Sequence, residues 1–296
     1  MKADIFNLWP QGDAPGASQS TAKPQIIDLA KEFEPYNRAA SSVRCPELAV
    51  WYPEESNGTT LLVAPGGSFA RIMIDSEGSS LATFFTAMGY TLAVMTYRLP
   101  GDGHHEGADA PLADAQRAVR VLRDRAARGL NGKRIVMLGF SAGGYVAASV
   151  GTRFSEKLYP PQDNADKLSA RPDALVLVYP VISMRDGLAH AESRQRLLGA
   201  WPDDKTLEAY SLETRVTRET PPVLLIHAVD DESVPVTHSM AFFSALREQK
   251  VPVELHFYER GGHGFGMRNL ADSPLASWPM LVTEWLRAKK TATTTV

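Results

Sequence analysis

Short apolar runs separated by amphipathic helical patterns constrain this chain more than any other feature. Thr60–Ala64, Thr91–Tyr97, Arg134–Phe140, Ala174–Tyr179 and Val223–His227 are nearly continuous in aliphatic and aromatic residues. Each is too short for a buried helix and lacks the alternation of a half-exposed strand. Between them, Leu112, Ala115, Val119, Leu122 and Ala126 share one helical face, and so do Leu81, Phe84, Phe85 and Met88 within Glu77–Met88. A strand buried on both faces needs cover on both sides. The pattern therefore predicts an α/β fold, a mostly parallel central sheet with helices on both faces. Leu48–Tyr52 and Val253–Tyr258 read as further strands. Tyr145–Val150, Ser277–Lys289 and Val236–Lys250 read as further helices, the last with Met240, Phe243 and Leu246 on its apolar face. Residues 183–220 interrupt the alternation. They read as a short inserted lid segment over the C-terminal edge of the sheet, where open α/β sheets bind ligands.

This pattern divides the chain into an N-terminal arm, residues 1–47, and a catalytic unit, residues 48–296. Residues 10–24, rich in Pro, Gly, Ser and Gln, read as an ordered arm or a flexible leader, and Thr291–Val296 as a short polar tail. The arm opens without a basic region followed by an apolar stretch, so no signal-peptide pattern is visible and localisation stays open. A net charge of −3 gives no nucleic-acid footprint, and no apolar run approaches a membrane span. The single cysteine, Cys45, excludes an intrachain disulfide and a cysteine-based metal cluster. His104 and His105 sit in a polar loop without the further ligands a metal site needs, so neither metal nor cofactor is expected.

Gly139-Phe140-Ser141-Ala142-Gly143 fits G-x-S-x-G, preceded by an apolar strand and followed by an Ala/Val-rich helix. That context suits a sharp strand-to-helix turn presenting a serine hydroxyl, with small residues on either side relieving its crowding. A dinucleotide-binding reading fails, because G-x-G-x-x-G is absent here. His263 lies in Gly261-Gly262-His263-Gly264-Phe265-Gly266, between the last strand and the last helix. A histidine there can take the serine proton and return it to a leaving group. His227 ends a buried strand and reads as a packed, hydrogen-bonded group, whereas His190 and His238 read as surface or lid residues. Three acids, Asp230, Asp231 and Glu232, follow the strand before the last, and spacing alone does not separate them. The order serine, acid, histidine is that of one of the common hydrolase arrangements. The Ala142 N–H, just after the serine, is one candidate oxyanion donor.

Together these residues resemble the α/β-hydrolase superfamily, over nearly the whole chain from about Leu48 to Ala288. A narrower likeness rests on Leu8-Trp9-Pro10 with Gly12–Gly16, Pro65-Gly66-Gly67, Asp75-Ser76-Glu77-Gly78, Tyr97-Arg98-Leu99, Gly139–Gly144 and Gly261–Gly266. It is similar to the acetyl xylan esterase-like group of carbohydrate esterases. The resemblance implies an α/β-hydrolase fold and a Ser141, Asp231, His263 triad, with Asp231 favoured by its D-x-x-V-P spacing. Pro65-Gly66-Gly67-Ser68 resembles the H-G-G-G loop of esterases, with proline replacing histidine and serine replacing the last glycine. Gly67 and Ser68 are thus the second oxyanion donors it implies.

The implied activity is deacetylation of O-acetylated plant-type carbohydrates, with a small-molecule or oligosaccharide ester as substrate. A general short-chain or feruloyl esterase is the alternative. Some members of the group carry a xylanase label, but a glycosidase needs a pair of carboxylates flanking a sugar bond, and the motifs offer none. Peptidases of the prolyl-oligopeptidase type share the catalytic order but usually add a large N-terminal domain, for which 296 residues leave no room. Phe69, Arg71 and Trp201 are candidate substrate contacts. Trp201 reads equally as a sugar-stacking platform or as a core anchor of the insertion, and Arg71 equally as half of an ion pair.

Overall fold

The computed structural model describes residues 2–17, 25–30, 36–268 and 270–293. Part of the 10–24 segment, residues 18–24, and the last three residues of the tail lie outside the described residues. The strands are β1 (Asp4–Asn7), β2 (Gln25–Asp28), β3 (Arg38–Ser41), β4 (Glu47–Trp51), β5 (Thr59–Ala64), β6 (Thr91–Met95), β7 (Arg134–Phe140), β8 (Ala174–Val178), β9 (Val223–Ala228) and β10 (Val253–Tyr258). The helices are α1 (Ala82–Ala87), α2 (Ala110–Ala127), α3 (Ala142–Arg153), α4 (Ala191–Leu198), α5 (Asp204–Ala209), α6 (Thr237–Glu248) and α7 (Trp278–Thr293). Eight strands form one sheet in the order β1-β4-β6-β5-β7-β8-β9-β10. From β6 to β10 every pairing is parallel, and β4 and β1 add two antiparallel strands at one edge.

The apolar runs do what their composition demands. Every residue of β5, β6, β8 and β9 is buried. Alternate side chains go to opposite faces, so Leu62, Met137, Leu177 and Leu225 meet α2, α3 and α6. Leu61, Leu138, Val176 and Ile226 meet α1 and α7, where Phe85, Trp278 and Leu286 close the second core. Burial of this kind stabilises by about 25 cal/mol per Å² of apolar surface removed from water.

Several local expectations need correction. The helix read at Glu77–Met88 is only α1 preceded by one 3-10 turn, Ser79–Leu81. Asp75 explains the late start. Its side chain accepts the Ser79 hydroxyl and its carbonyl accepts the Gly78 and Ser80 amides, closing a tight turn. That turn directs Glu77 inward, 5% exposed. In α6 the buried face is His238, Ser239, Phe242 and Leu246, while Met240 is exposed. The i, i+3, i+6 pattern had missed the polar residues on the inner face. The interval 183–220 holds α4, α5 and one 3-10 turn, Leu212–Arg215.

The first residues are woven into the sheet. Asp4–Asn7 pair with Glu47–Val50, and Leu8 and Trp9 are buried beneath α2, where the Trp9 indole donates to Asp114 at 2.9 Å. Arg98 locks the same place, its guanidinium meeting both Asp114 and Glu106. The β2–β3 ribbon stands apart from the sheet, tied through Arg38 to Asp75 by two side-chain bonds at 2.9 and 3.0 Å.

Candidate active site

Ser141 sits between β7 and α3 with φ 52° and ψ −120°, a conformation that a non-glycine residue adopts only under constraint. Its neighbours explain how the turn is held. The Ser141 amide donates to the Val178 carbonyl at 3.1 Å, and its own carbonyl accepts from Val181 and Tyr145. A Cβ on Gly143 would lie 2.0 Å from the Ala64 carbonyl oxygen, and one on Gly139 would lie 2.3 Å from the Gly143 carbonyl oxygen. Glycine is therefore the residue these two positions admit.

Three loops at the C-terminal ends of β7, β9 and β10 bring together side chains 122 and 32 residues apart. His263 Nε2 is 2.8 Å from Ser141 Oγ, and His263 Nδ1 is 2.7 Å from Asp231 Oδ2. A carboxylate can only accept, so Nδ1 carries the proton and Nε2 is the lone pair facing the serine hydroxyl. Asp231 has a fully buried side chain and four donors. Its Oδ1 accepts the Ser233 and Val234 amides, and its Oδ2 faces both His263 and His227. Burial opposes the charge, but these bonds and the histidine beside it hold the carboxyl well below the usual range.

Of the three competing acids, Asp231 is the one that meets the imidazole. Asp230 accepts the Gly262 amide at 2.8 Å and so braces the loop carrying His263, while Glu232 is exposed.

The loop after β5 approaches the serine from the other side. A Cβ on Gly66 would touch Ser141 Cβ at 2.8 Å. The Gly66 amide is committed to Glu77 at 2.7 Å, which leaves Gly67 and Ser68 as the next donors along the loop. Both have positive φ, 130° and 55°, and Ala142 opens α3 on the opposite side. Phe69 is not an open wall. It is 2% exposed and packs edge-on against Tyr145, with ring centroids 5.9 Å apart. Arg71 is exposed and joins none of the ion pairs among the described residues. Trp201 is 96% exposed between α4 and α5, so the core-anchor reading is wrong.

Sequence reasoning missed a second buried tier. Tyr179, at φ 39°, places its ring 4.9 Å from that of His263, and its hydroxyl is 2.9 Å from Glu77 Oε1. His227 is buried as expected, but it contacts Asp231 directly. His238 is not a surface residue: it is fully buried, and its Nδ1 accepts the Ile182 and Ser183 amides that begin the inserted segment. His104 is buried as well. The signal that could have found these groups was a polar residue at an otherwise apolar position: Tyr179 at the end of β8, His238 on the inner face of α6. Among the described residues no cluster of three His, Cys, Asp or Glu could hold a metal, and no helix is long and apolar enough to cross a membrane.

A family model described as BD-FAE matches residues 48–246. The chain belongs to the BD-FAE family. This BD-FAE chain is also similar to a solved acetyl ester-xyloside bifunctional hydrolase from Caldicellulosiruptor lactoaceticus. The two share 32% identity and a TM-score of 0.78, with 98% of this chain and 97% of that chain covered. Endo-1,4-beta-xylanase B of Butyrivibrio fibrisolvens is 35% identical over 82% of this chain and 38% of its own length. Acetylxylan esterase of Xylanibacter ruminicola is 30% identical over 74% of this chain and 44% of its own length. The chain thus spans less than half the length of these two curated relatives. Its BD-FAE region contains Ser141 and Asp231, while His263 lies beyond the matched residues. The eight-stranded, mostly parallel sheet with helices on both faces is the α/β-hydrolase fold, shared with that solved structure.

Proposed function

We propose that the protein is a serine carboxylic-ester hydrolase that removes acetyl groups from O-acetylated plant-type carbohydrates. The observation that carries this reading is the continuous hydrogen-bonded line from Ser141 through His263 to Asp231, at 2.8 and 2.7 Å. Ser141 Oγ attacks the acyl carbonyl carbon as His263 Nε2 takes its proton. The negative charge gathers on the carbonyl oxygen, where the amides of Ala142 and of Gly67 or Ser68 receive it. The C–O bond to the sugar breaks, and the alkoxide leaves with the proton from His263. Water, deprotonated by the same imidazole, then releases acetate and restores the serine. In the proposal residues 48–296 form the catalytic domain, with residues 183–220 as its insertion and residues 1–47 as an N-terminal arm.

The acetyl preference draws support from the acetylxylan esterase and acetyl ester-xyloside hydrolase named among the relatives. A panel of acetylated xylan, acetylated glucose, feruloyl esters and 4-nitrophenyl esters of rising chain length tests it. Acetylated xylo-oligosaccharide is expected to lead in kcat/KM. A dominant preference for long acyl chains would leave only an esterase of other specificity. Release of xylose from unacetylated xyloside by the Ser141→Ala variant would require a separate glycosidase site.

A further inference from the structure

Glu77 is a fully buried carboxyl that the reaction above does not use. It lies where three segments of the site meet. Its Oε2 accepts the Gly66 amide at 2.7 Å, and its Oε1 accepts the Tyr179 hydroxyl at 2.9 Å. The Tyr179 oxygen in turn accepts the Gly266 amide at 3.0 Å. Gly66 leads into Gly67 and Ser68, and Gly266 ends the loop that carries His263. The fit is close on every side. A Cβ on Gly66 would lie 2.8 Å from both Glu77 Oε2 and Ser141 Cβ, and one on Gly266 would lie 2.5 Å from the Ser76 carbonyl oxygen.

We propose that Glu77 is a positioning residue: its carboxylate ties the oxyanion loop to the His263 loop across Ser141 and places a fixed negative charge beside the imidazole. The proposal rests on the esterase reading above for its kinetic consequence, but not for its electrostatic one.

The chemistry of the neighbours favours the ionised form. Gly66 N–H can only donate. Tyr179 already accepts from Gly266, so its own proton points to Glu77. Burial pushes the Tyr179 hydroxyl far up, which keeps that proton in place. Burial raises the Glu77 carboxyl above the usual carboxylate range, and the two donors and the nearby His263, which favour its charge, offset only part of that rise. Tyr97 faces the same carboxyl from the segment just after β6. It stays protonated and donates to the Pro65 carbonyl at 2.6 Å, so the oxyanion loop is held from both sides. Asp75, two residues away, is neutralised by Arg38. His263 itself faces Asp231 at Nδ1, Ser141 at Nε2, the Tyr179 ring, and His190 from the start of α4. Among these, Asp231 and Glu77 are the anions that favour imidazolium. Removing the Glu77 charge must lower the pH at which His263 gains its proton. The acid limb of kcat/KM then moves to lower pH.

Glu77→Gln keeps size and the acceptor for Gly66, and Tyr179→Phe cuts the link from the other side. Both are compared with wild type on 4-nitrophenyl acetate. In parallel, the ring 13Cε1 resonance of His263, assigned with His263→Asn, is followed over about pH 4 to 9. In each variant kcat is expected to fall about ten-fold or more with KM within about three-fold. The double variant is expected to lose less than the product of the single losses. In Glu77→Gln the His263 midpoint is expected to drop by about half a unit or more. Wild-type kcat in both folded variants overturns the proposal, and so does an unchanged His263 midpoint in Glu77→Gln. If wild type hydrolyses no ester while that midpoint still drops, the esterase reading falls and the Glu77 coupling stands.

Discussion

His227 Nε2 lies 3.2 Å from Asp231 Oδ2, the oxygen that also faces His263. The same nitrogen is 2.9 Å from the Val234 carbonyl, and Nδ1 is 2.8 Å from the Ser239 hydroxyl. Two acceptors at Nε2 place a proton there, so His227 donates to Asp231. The acid is thereby clamped by a second histidine from behind and cannot rotate away from the first.

Asp231→Asn should be costly for this reason. A carboxamide cannot accept from two imidazoles on one oxygen and two amides on the other, and it favours the wrong tautomer of His263. We expect kcat to fall by about 10³ to 10⁴, the order seen when a triad acid becomes an amide. Asp230→Asn keeps its acceptor for Gly262 and should stay within about three-fold. Steady-state kinetics on 4-nitrophenyl acetate check both. Near-equal losses would mean that the neighbouring carboxylates act together.

Ser141→Ala should remove at least roughly 10³-fold of ester turnover while leaving the unfolding midpoint close to wild type. Labelling by a fluorophosphonate should vanish in parallel. Retained turnover would place the nucleophile elsewhere.

Gly143→Ala and Gly262→Ala separate crowding from conformational strain. At Gly143 a methyl would sit 2.0 Å from the Ala64 carbonyl oxygen and 2.5 Å from that of Pro65, both backbone atoms that cannot swing aside. We expect a loss of roughly 3 kcal/mol or more. At Gly262, φ is 60° but nothing lies within 4 Å. There the cost should be about 1 kcal/mol, for the left-handed backbone alone. Urea unfolding of both variants measures the difference.

His238 predicts how stability depends on pH. It is buried and neutral, and its pKa is lowered to about 4 by burial and by His227 and His190 nearby. The unfolded side chain takes a proton near its ordinary value of about 6.5. Between these values the unfolded state binds the proton and the native state does not. Stability is therefore present above about 6.5 and is lost as pH falls toward 4, by roughly 3 kcal/mol in full. Unfolding midpoints measured across that interval should fall, and His238→Asn should flatten the part of the slope that this residue carries.

Trp201 has almost its whole side chain in water. Trp201→Ala should leave stability within about 0.5 kcal/mol. If the indole stacks on sugar, KM for acetylated xylo-oligosaccharide should rise several-fold while that for 4-nitrophenyl acetate stays unchanged. A KM unchanged from wild type for both substrates would remove Trp201 from the binding surface.

What the sequence disclosed follows from range. The β7–α3 turn at Ser141, the glycines around His263 and the buried strands are local patterns, and each appears where composition placed it. The choice among Asp230, Asp231 and Glu232 was not local. It depends on which side chain the turn after β9 points at a loop 32 residues away. Glu77 was misread because its neighbours have helical spacing, and only the Asp75 turn shows that it faces inward. His238 was hidden by the usual assumption that polar residues lie outside, whereas Tyr179 and His227 read as buried and only their partners were hidden. Those partners are backbone groups and the side chains of Glu77, Asp231 and Ser239, which no spacing rule encodes.

The outermost strand has a consequence for how the protein meets other chains. Asp4–Asn7 cover the outer hydrogen-bonding edge of β4, and Leu8 and Trp9 pin them down. Proteolytic clipping ahead of Leu8 would uncover that edge, a ready template for strand addition from a neighbouring molecule. The short N-terminal segment thus makes β1, rather than the longer and more apolar β4, the strand that borders solvent at this margin of the sheet.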